Sequence, residues 1–195
     1  MLNGKAADEI VLMLRANRPA RDLLLRAHAA LPTTGKSVAA CSEASLKRWS
    51  QDLRAWVELA LRRRPPPAHL RGLWFAVRVP HLIIQGHPQA ETGEDWTLPD
   101  WWEGVVEPWT LPPLQGLRGG EVPGEANAEQ EEFGVVLAAV LLRDGLRAND
   151  SRGPTLPNPL RVEVRPECAA DTIEVGLLDG SGLSNTSTRQ TLWGP

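Results

Sequence analysis

The feature that constrains this chain most is the segment Gly134–Leu142 (GVVLAAVLL), which is apolar on every side of a helix. The surrounding pattern predicts a helix from about Asn127 to Gly145, because glycine is typical of helix ends. The segment is far shorter than the roughly 18 apolar residues of a membrane span. A helix without a polar face has to be buried. We therefore expect it to pack against a sheet.

Alternation of apolar and polar residues predicts the strands of that sheet. Residues 70–79 have the two-residue period of a strand with one buried face. The segments 160–165 and 173–178 predict two further strands by the same pattern, and residues 81–85 predict a strand after the interruption at Pro80. The fold class predicted is α+β, with an N-terminal helical part followed by a small antiparallel sheet that is backed by one buried helix.

The sequence of the N-terminal part predicts helices and no strands. Apolar residues spaced three and four apart indicate helices over 7–16 and 19–31 and a long amphipathic helix over 37–63. Alternatively the third helix breaks near Ser42, which would cap a new helix. The sequence RRRPPP at 62–67 ends the helical part, because proline removes backbone donors and disfavours helix in the residue before it.

These boundaries divide the chain into four parts. We predict a helical region at 1–64, a proline-rich link at 65–69, an α+β domain at 70–180 and a flexible tail at 181–195. Inside the domain, residues 86–125 are predicted to form a long irregular acidic loop, with five prolines between 99 and 123. A loop of this length in a compact domain is usually functional or mobile.

Charge is divided in the same way. Residues 1–80 carry 14 basic and 6 acidic side chains, a balance of +8, whereas residues 81–195 carry 7 and 18, a balance of −11. Between 91 and 132 there are 11 acids and one base, Arg118. The two parts could neutralise one another within one fold, or the acidic part could attract a basic partner.

Four of the eight tryptophans lie between 96 and 109, inside that acidic stretch. We call residues 91–109 the acidic tryptophan segment. Large apolar anchors with an acidic rim suit a basic protein partner. Alternatively, these tryptophans cover the sheet while the acids pair with the basic helices. The predicted partner-binding residues are Glu94, Asp95, Trp96, Asp100, Trp101, Trp102, Glu103, Glu107 and Trp109.

Nucleic-acid binding is the alternative function. Residues 38–49 (VAACSEASLKRW) resemble the recognition portion of helix-turn-helix regulators, in which serine and basic side chains face the major groove. The candidate contacts are Ser45, Lys47 and Arg48. The basic balance of the first 80 residues would attract phosphates.

Signals for catalysis are weak, and we predict a non-enzymatic chain without a cofactor or metal. His81 and His87 precede several acids, the combination used by hydrolytic metal sites, but Gln85-Gly-His87-Pro88 is one ligand short of the His-x-His-Pro core of JAB-type metalloproteases. Residues 30–37 (ALPTTGKS) match a phosphate-binding loop loosely and do not follow a strand.

Compartment follows from the cysteines and from the N-terminus. Cys41 and Cys168 lie far apart in different kinds of segment, which favours reduced thiols. The N-terminus has no apolar core of a signal peptide. We predict a cytoplasmic protein that does not enter a membrane.

Several short segments together resemble uncharacterised bacterial proteins that are found near polymorphic-toxin loci and interpreted as immunity proteins. They are Leu70–Ala76, the strand that ends at Gly86, Glu94–Trp96 and Ile173–Gly180. The sequence departs from that pattern at Thr97 and Leu98, where the relatives have a small residue and often Cys. The resemblance implies a binding role and no catalytic residue.

Overall fold

The computed structural model describes residues 4–87, 102–104, 106–114, 128–147, 156, 158–167 and 172–184. It confirms the predicted α+β class. The helices are α1 (Gly4–Arg15), α2 (Ala20–Ala30), α3 (Gly35–Ala39), α4 (Glu43–Arg63) and α5 (Ala128–Arg147). The strands are β1 (Gly72–Arg78), β2 (His81–His87), β3 (Trp102–Glu103), β4 (Trp109–Thr110), β5 (Leu160–Pro166), β6 (Ile173–Asp179) and β7 (Gly182–Ser184).

The strands form one mixed sheet in the order β3-β2-β1-β5-β6-β7, with β4 also pairing with β2. β1 and β5 are parallel, and the other pairs are antiparallel. The prediction of a purely antiparallel sheet is therefore wrong at its centre. Three strands and α5 separate β1 from β5 along the chain, and this long connection allows β5 to return beside β1 in the same direction.

Helix α5 lies at the centre of the molecule. Residues 132–143 are all buried, which confirms the burial predicted from its apolar sequence. One side of α5 contacts strands β1, β5, β6 and β7, and α2 and α4 pack against it as well. At Gly134 the helix comes so close that an added Cβ would lie 3.0 Å from the side chain of Val77. In the described part of the chain, no helix is long and apolar enough to cross a membrane.

Helix α4 begins where the sequence allowed a break. The Oγ of Ser42 accepts a hydrogen bond from the backbone N–H of Ser45 at 3.1 Å, so Ser42 caps α4 and separates it from α3. Further along α4, the ring of Trp56 lies 6.4 Å from that of Phe75 in β1. The buried apolar residues of the helices and of the sheet form one hydrophobic core. The basic and acidic parts of the chain are thus packed together.

Regular structure extends into segments predicted to be irregular. β3, β4 and a 3₁₀ turn at Pro112–Leu114 lie within the stretch 86–125. β7 lies within the predicted tail. Residues 88–101, 115–127 and 185–195 are outside the described residues, so the rest of both predictions is untested.

Candidate functional site

Part of the acidic tryptophan segment lies against the last turns of α4. The indole N–H of Trp102 donates to the carbonyl oxygen of Arg64 at 3.0 Å. Five residues later, the carbonyl oxygen of Glu107 accepts from the indole N–H of Trp56 at 2.8 Å. Residues 102 and 107 therefore contact α4 two turns apart. The segment and the helix run in opposite directions, and both ends of the contact are held by hydrogen bonds.

Gly104 makes this close approach possible. Its backbone N–H donates to the carbonyl oxygen of Ile84 in β2 at 3.2 Å. A Cβ at this position would lie 2.4 Å from the Ile84 side chain and 3.3 Å from the Cβ of Ala60 in α4. Both distances are shorter than ordinary contacts between carbon atoms. The segment is held between α4 and the edge of the sheet, and only glycine fits there without displacement of its neighbours.

This docking turns the described acids of the segment outward. Glu103 and Glu107 are both exposed, and neither makes an ion pair with a described residue. Trp109 is half-buried and packs with Val106 against the core. The described part of the surface therefore carries a half-buried indole and two exposed carboxylates, and the strand register places Trp109 and Glu103 on opposite faces of the sheet.

Trp102 has a different place from the one predicted. Its side chain is only 2% exposed and belongs to the hydrophobic core. The indole lies over Gly86, where an added Cβ would be 3.2 Å from the ring. Trp102 therefore anchors the segment and offers almost no surface to a partner. The other predicted binding residues, Glu94, Asp95, Trp96, Asp100 and Trp101, lie outside the described residues.

The alternative in which the acids of the segment pair with the basic helices is not seen at Glu103 or Glu107. The side chains of Arg62, Arg63 and Arg64 lie on the same part of α4 and are exposed. The basic and acidic parts of the sequence are joined instead by an ion pair between Arg78 and Glu167, at the ends of β1 and β5. Charges of both signs thus remain available at the surface.

The residues proposed for nucleic-acid contact are divided between two roles. The hydroxyl of Ser45 lies 2.8 Å from that of Ser42 and belongs to the cap of α4. Lys47 and Arg48 are exposed one turn further along. Residues 40–42 connect α3 to α4, a length found in helix-turn-helix motifs. Nucleic-acid binding through Lys47 and Arg48 stays a prediction.

The histidines and the loose phosphate-loop match do not converge on a catalytic arrangement. His69 and His81 are exposed, and the side chain of His87 is outside the described part. Among the described residues, no group of three or more His, Cys, Asp and Glu side chains is placed to share a metal ion. Residues 30–37 form the end of α2, a 3₁₀ turn and the start of α3, so they follow a helix.

The sheet carries a charged cluster that was not predicted from the sequence. The indole N–H of Trp74 donates to Glu163 at 2.6 Å, and the guanidinium carbon of Arg165 lies 3.9 Å from the centre of the Trp74 ring. In the strand register, Glu163 of β5 lies opposite Glu174 of β6, which carries the same charge. Burial lowers the pKa of Arg165, although Glu163 opposes this shift. The alternation of charge over residues 161–165 was the signal in the sequence, and it indicates that this face of the sheet is polar.

Cys41 is chemically protected, which leads to a prediction about its reactivity. Its thiol donates to the carbonyl oxygen of Ser37 at 3.2 Å, and burial raises its pKa to about 12. Because the thiolate is the reactive form, we expect Cys41 in a Cys168→Ser variant to resist a thiol reagent at about pH 8 and to react readily after unfolding. With a chromogenic disulfide as the reagent, the absorbance of the thiolate that it releases measures the reaction rate of the folded and of the unfolded protein. Equal rates would contradict the burial of Cys41.

The same shift predicts how stability depends on pH. The thiol of Cys41 holds its proton more tightly in the folded protein than in the unfolded chain, where its pKa is about 8.5. The contribution of Cys41 to the free energy of unfolding is complete below that pKa. It is lost as the pH rises towards the pKa of about 12 in the folded protein. A Cys41→Ala comparison of unfolding free energies across this range isolates the contribution.

No protein-family model, curated protein sequence or solved structure matches the chain. The proposals below therefore depend on the surfaces of the molecule itself.

Proposed function

We propose that the chain is a cytoplasmic, non-enzymatic protein-binding module, an immunity-like factor whose acidic tryptophan segment engages a basic partner. The observation that supports this most is the docking of residues 102–104 and 106–107 along α4. In this arrangement Glu103 and Glu107 stay exposed and make no ion pair with a described residue. The carboxylates remain available for pairing with another molecule.

The rigidity of this surface favours binding. Backbone atoms of the segment are fixed to β2 and to α4 by hydrogen bonds, so less conformational entropy is lost when a partner docks. The half-buried ring of Trp109 supplies apolar area two residues from Glu107 along the chain. An apolar centre with charged residues at its rim is the usual composition of a protein interface. The carboxylates would select partners that carry Lys or Arg at the matching positions.

A capture experiment with charge-reversed variants tests the proposal. The tagged protein is incubated at low salt with extract of the source cells, and captured proteins are identified by mass spectrometry. We expect a protein with a basic surface to be retained by the wild type and reduced about tenfold or more by Glu103→Lys with Glu107→Lys. Salt should release it, because exposed charges are screened.

The matched control is Asp8→Lys with Asp52→Lys, which makes the same change of net charge at exposed positions on α1 and α4. This control should retain the partner. Equal capture by wild type and by the Glu103→Lys, Glu107→Lys variant would count against the proposal, and so would equal loss in the control.

A further inference from the structure

A groove of about 610 Å³ runs beside α4, between that helix, the first residues of α2 and the last turn of α5. Helix α4 lines it from Glu43 to Glu58, a length of about 22 Å at the rise of an α-helix. Pro19, Leu46 and Ala55 contribute apolar surface to it. A groove that is long and partly apolar suits a peptide segment better than a compact small molecule.

The charged side chains of the groove are only partly paired. Arg54 and Glu58 form an ion pair of 2.7 Å within α4. Asp144 is paired with Arg143 at 2.6 Å. Arg21 and Lys47 are exposed and make no ion pair with any described residue. Against these two cations the groove presents one acid in the same situation, Glu43, so its available charge is positive.

Positive charge is also concentrated behind the groove, where α5 ends near the start of α2. Arg143 is only 2% exposed and donates to the carbonyl oxygen of Arg18 at 2.9 Å. The pKa of Arg147 is lowered by burial and further by the charge of Arg143, although Asp144 opposes the shift. An anionic group bound at this end would be attracted to the remaining positive charge.

We propose that this groove is a second binding site, which takes an acidic peptide segment of a partner protein that also carries apolar side chains. Carboxylates of the peptide pair with Arg21 and Lys47, while its apolar side chains contact Pro19 and Ala55. The site has the opposite charge preference to the acidic tryptophan segment and shares no residue with it. Either site can therefore fail without the other.

The composition of the groove favours a peptide over a nucleic acid. Apolar residues of the lining have no partner in a phosphate backbone, whereas aliphatic side chains of a peptide would cover them. Glu43, which makes no ion pair with a described residue, would repel closely spaced phosphates. A peptide can place its carboxylates at the two cations and leave the remaining positions neutral.

Fluorescence anisotropy with a defined probe tests the proposal. The probe is a labelled helical peptide of about 15 residues, the length of the groove, with Glu on one face and Leu on the other. We expect micromolar affinity, weakened about tenfold or more by Arg21→Glu with Lys47→Glu. Ala55→Trp should weaken binding as well, because the indole fills the groove without changing its charge.

The matched controls place the same changes outside the groove. Lys36→Glu with Arg62→Glu alters net charge equally at exposed helical positions outside the groove, and Ala44→Trp adds an indole to the same helix. We expect both controls, and Glu103→Lys with Glu107→Lys, to bind the probe as the wild type does. All substituted positions except Glu103 and Glu107 lie on helices, and circular dichroism verifies that each variant is folded.

Four results would overturn this assignment. They are no binding of the glutamate peptide at about millimolar protein, equal binding of a peptide with Lys in place of Glu, equal weakening by the control variants, and tighter binding of a labelled DNA duplex than of the peptide. The last result, with loss in Lys47→Ala and Arg48→Ala, would support nucleic-acid binding by α4 instead.

Discussion

Trp102→Ala is expected to lower the free energy of unfolding by about 4 kcal/mol. The side chain is 2% exposed, so truncation leaves a large cavity between the sheet and the end of α4. It also removes the indole N–H that donates to the carbonyl oxygen of Arg64, so that oxygen loses this hydrogen bond. Urea denaturation followed by circular dichroism measures the change.

The neighbouring residue provides the control for this prediction. Glu103 is exposed on the next position of β3, and we expect Glu103→Ala to change the free energy of unfolding by less than about 0.5 kcal/mol. A small effect of Trp102→Ala would mean that the indole is not an anchor of the segment. In that case the fixed orientation of Glu103 and Glu107 would lose its main support.

Gly145→Ala is expected to have the second largest effect, a net loss of about 2 kcal/mol. The added Cβ would lie 2.4 Å from the backbone carbonyl oxygen of Ser50 in α4. Because this atom belongs to a helix backbone, α4 and α5 have to separate, at a cost of about 3 kcal/mol. The higher helix propensity of Ala offsets about 1 kcal/mol of that cost. Thermal and urea unfolding measure the difference.

Gly180→Ala is the matched substitution, since no atom lies within 4 Å of the position that its Cβ would occupy. We expect a change of less than about 0.5 kcal/mol there. Similar values for the two variants would contradict the close packing of α4 on α5. The wall of the groove beside Gly145 would then be misplaced.

Local patterns in the sequence were sufficient for the main elements of the fold. The period of two marked β1, β5 and β6, and the apolar sequence around Leu137 identified α5 as a buried helix. Ser42 was recognised as a possible cap because its side chain can accept a backbone N–H. These features depend on residues close together in the chain, so the sequence carries them directly.

Features that depend on distant residues were not predictable. The parallel pairing of β1 with β5 depends on the path of the chain over α5, which no local pattern records. β3 and β4 have two residues each, too few to show a period. The neighbours of Trp102 in the sequence are a tryptophan and a glutamate, which would also surround an exposed binding residue. Only the small residues Gly86 and Gly104, which leave room for the docked segment, could have indicated its burial.

The candidate surface was predicted in part for the same reason. Composition located the acidic tryptophan segment, and the exposure of Glu103 and Glu107 agrees with an acidic rim. The hydrogen bonds to Trp56 and Arg64 join residues that are far apart in the chain, so the sequence did not indicate them. The groove was also missed, because its residues come from three helices that only the tertiary fold brings together.

A charge-swap measurement tests whether Glu103 and Glu107 pair with cations of a partner. Titration calorimetry is performed with the purified captured partner and the wild type, and then with Glu103→Lys plus Glu107→Lys. We expect binding to be weaker by about tenfold or more in this variant. We also expect recovery when the facing Lys or Arg residues of the partner are changed to Glu. Unchanged affinity in the variant, or loss without recovery, would contradict this pairing.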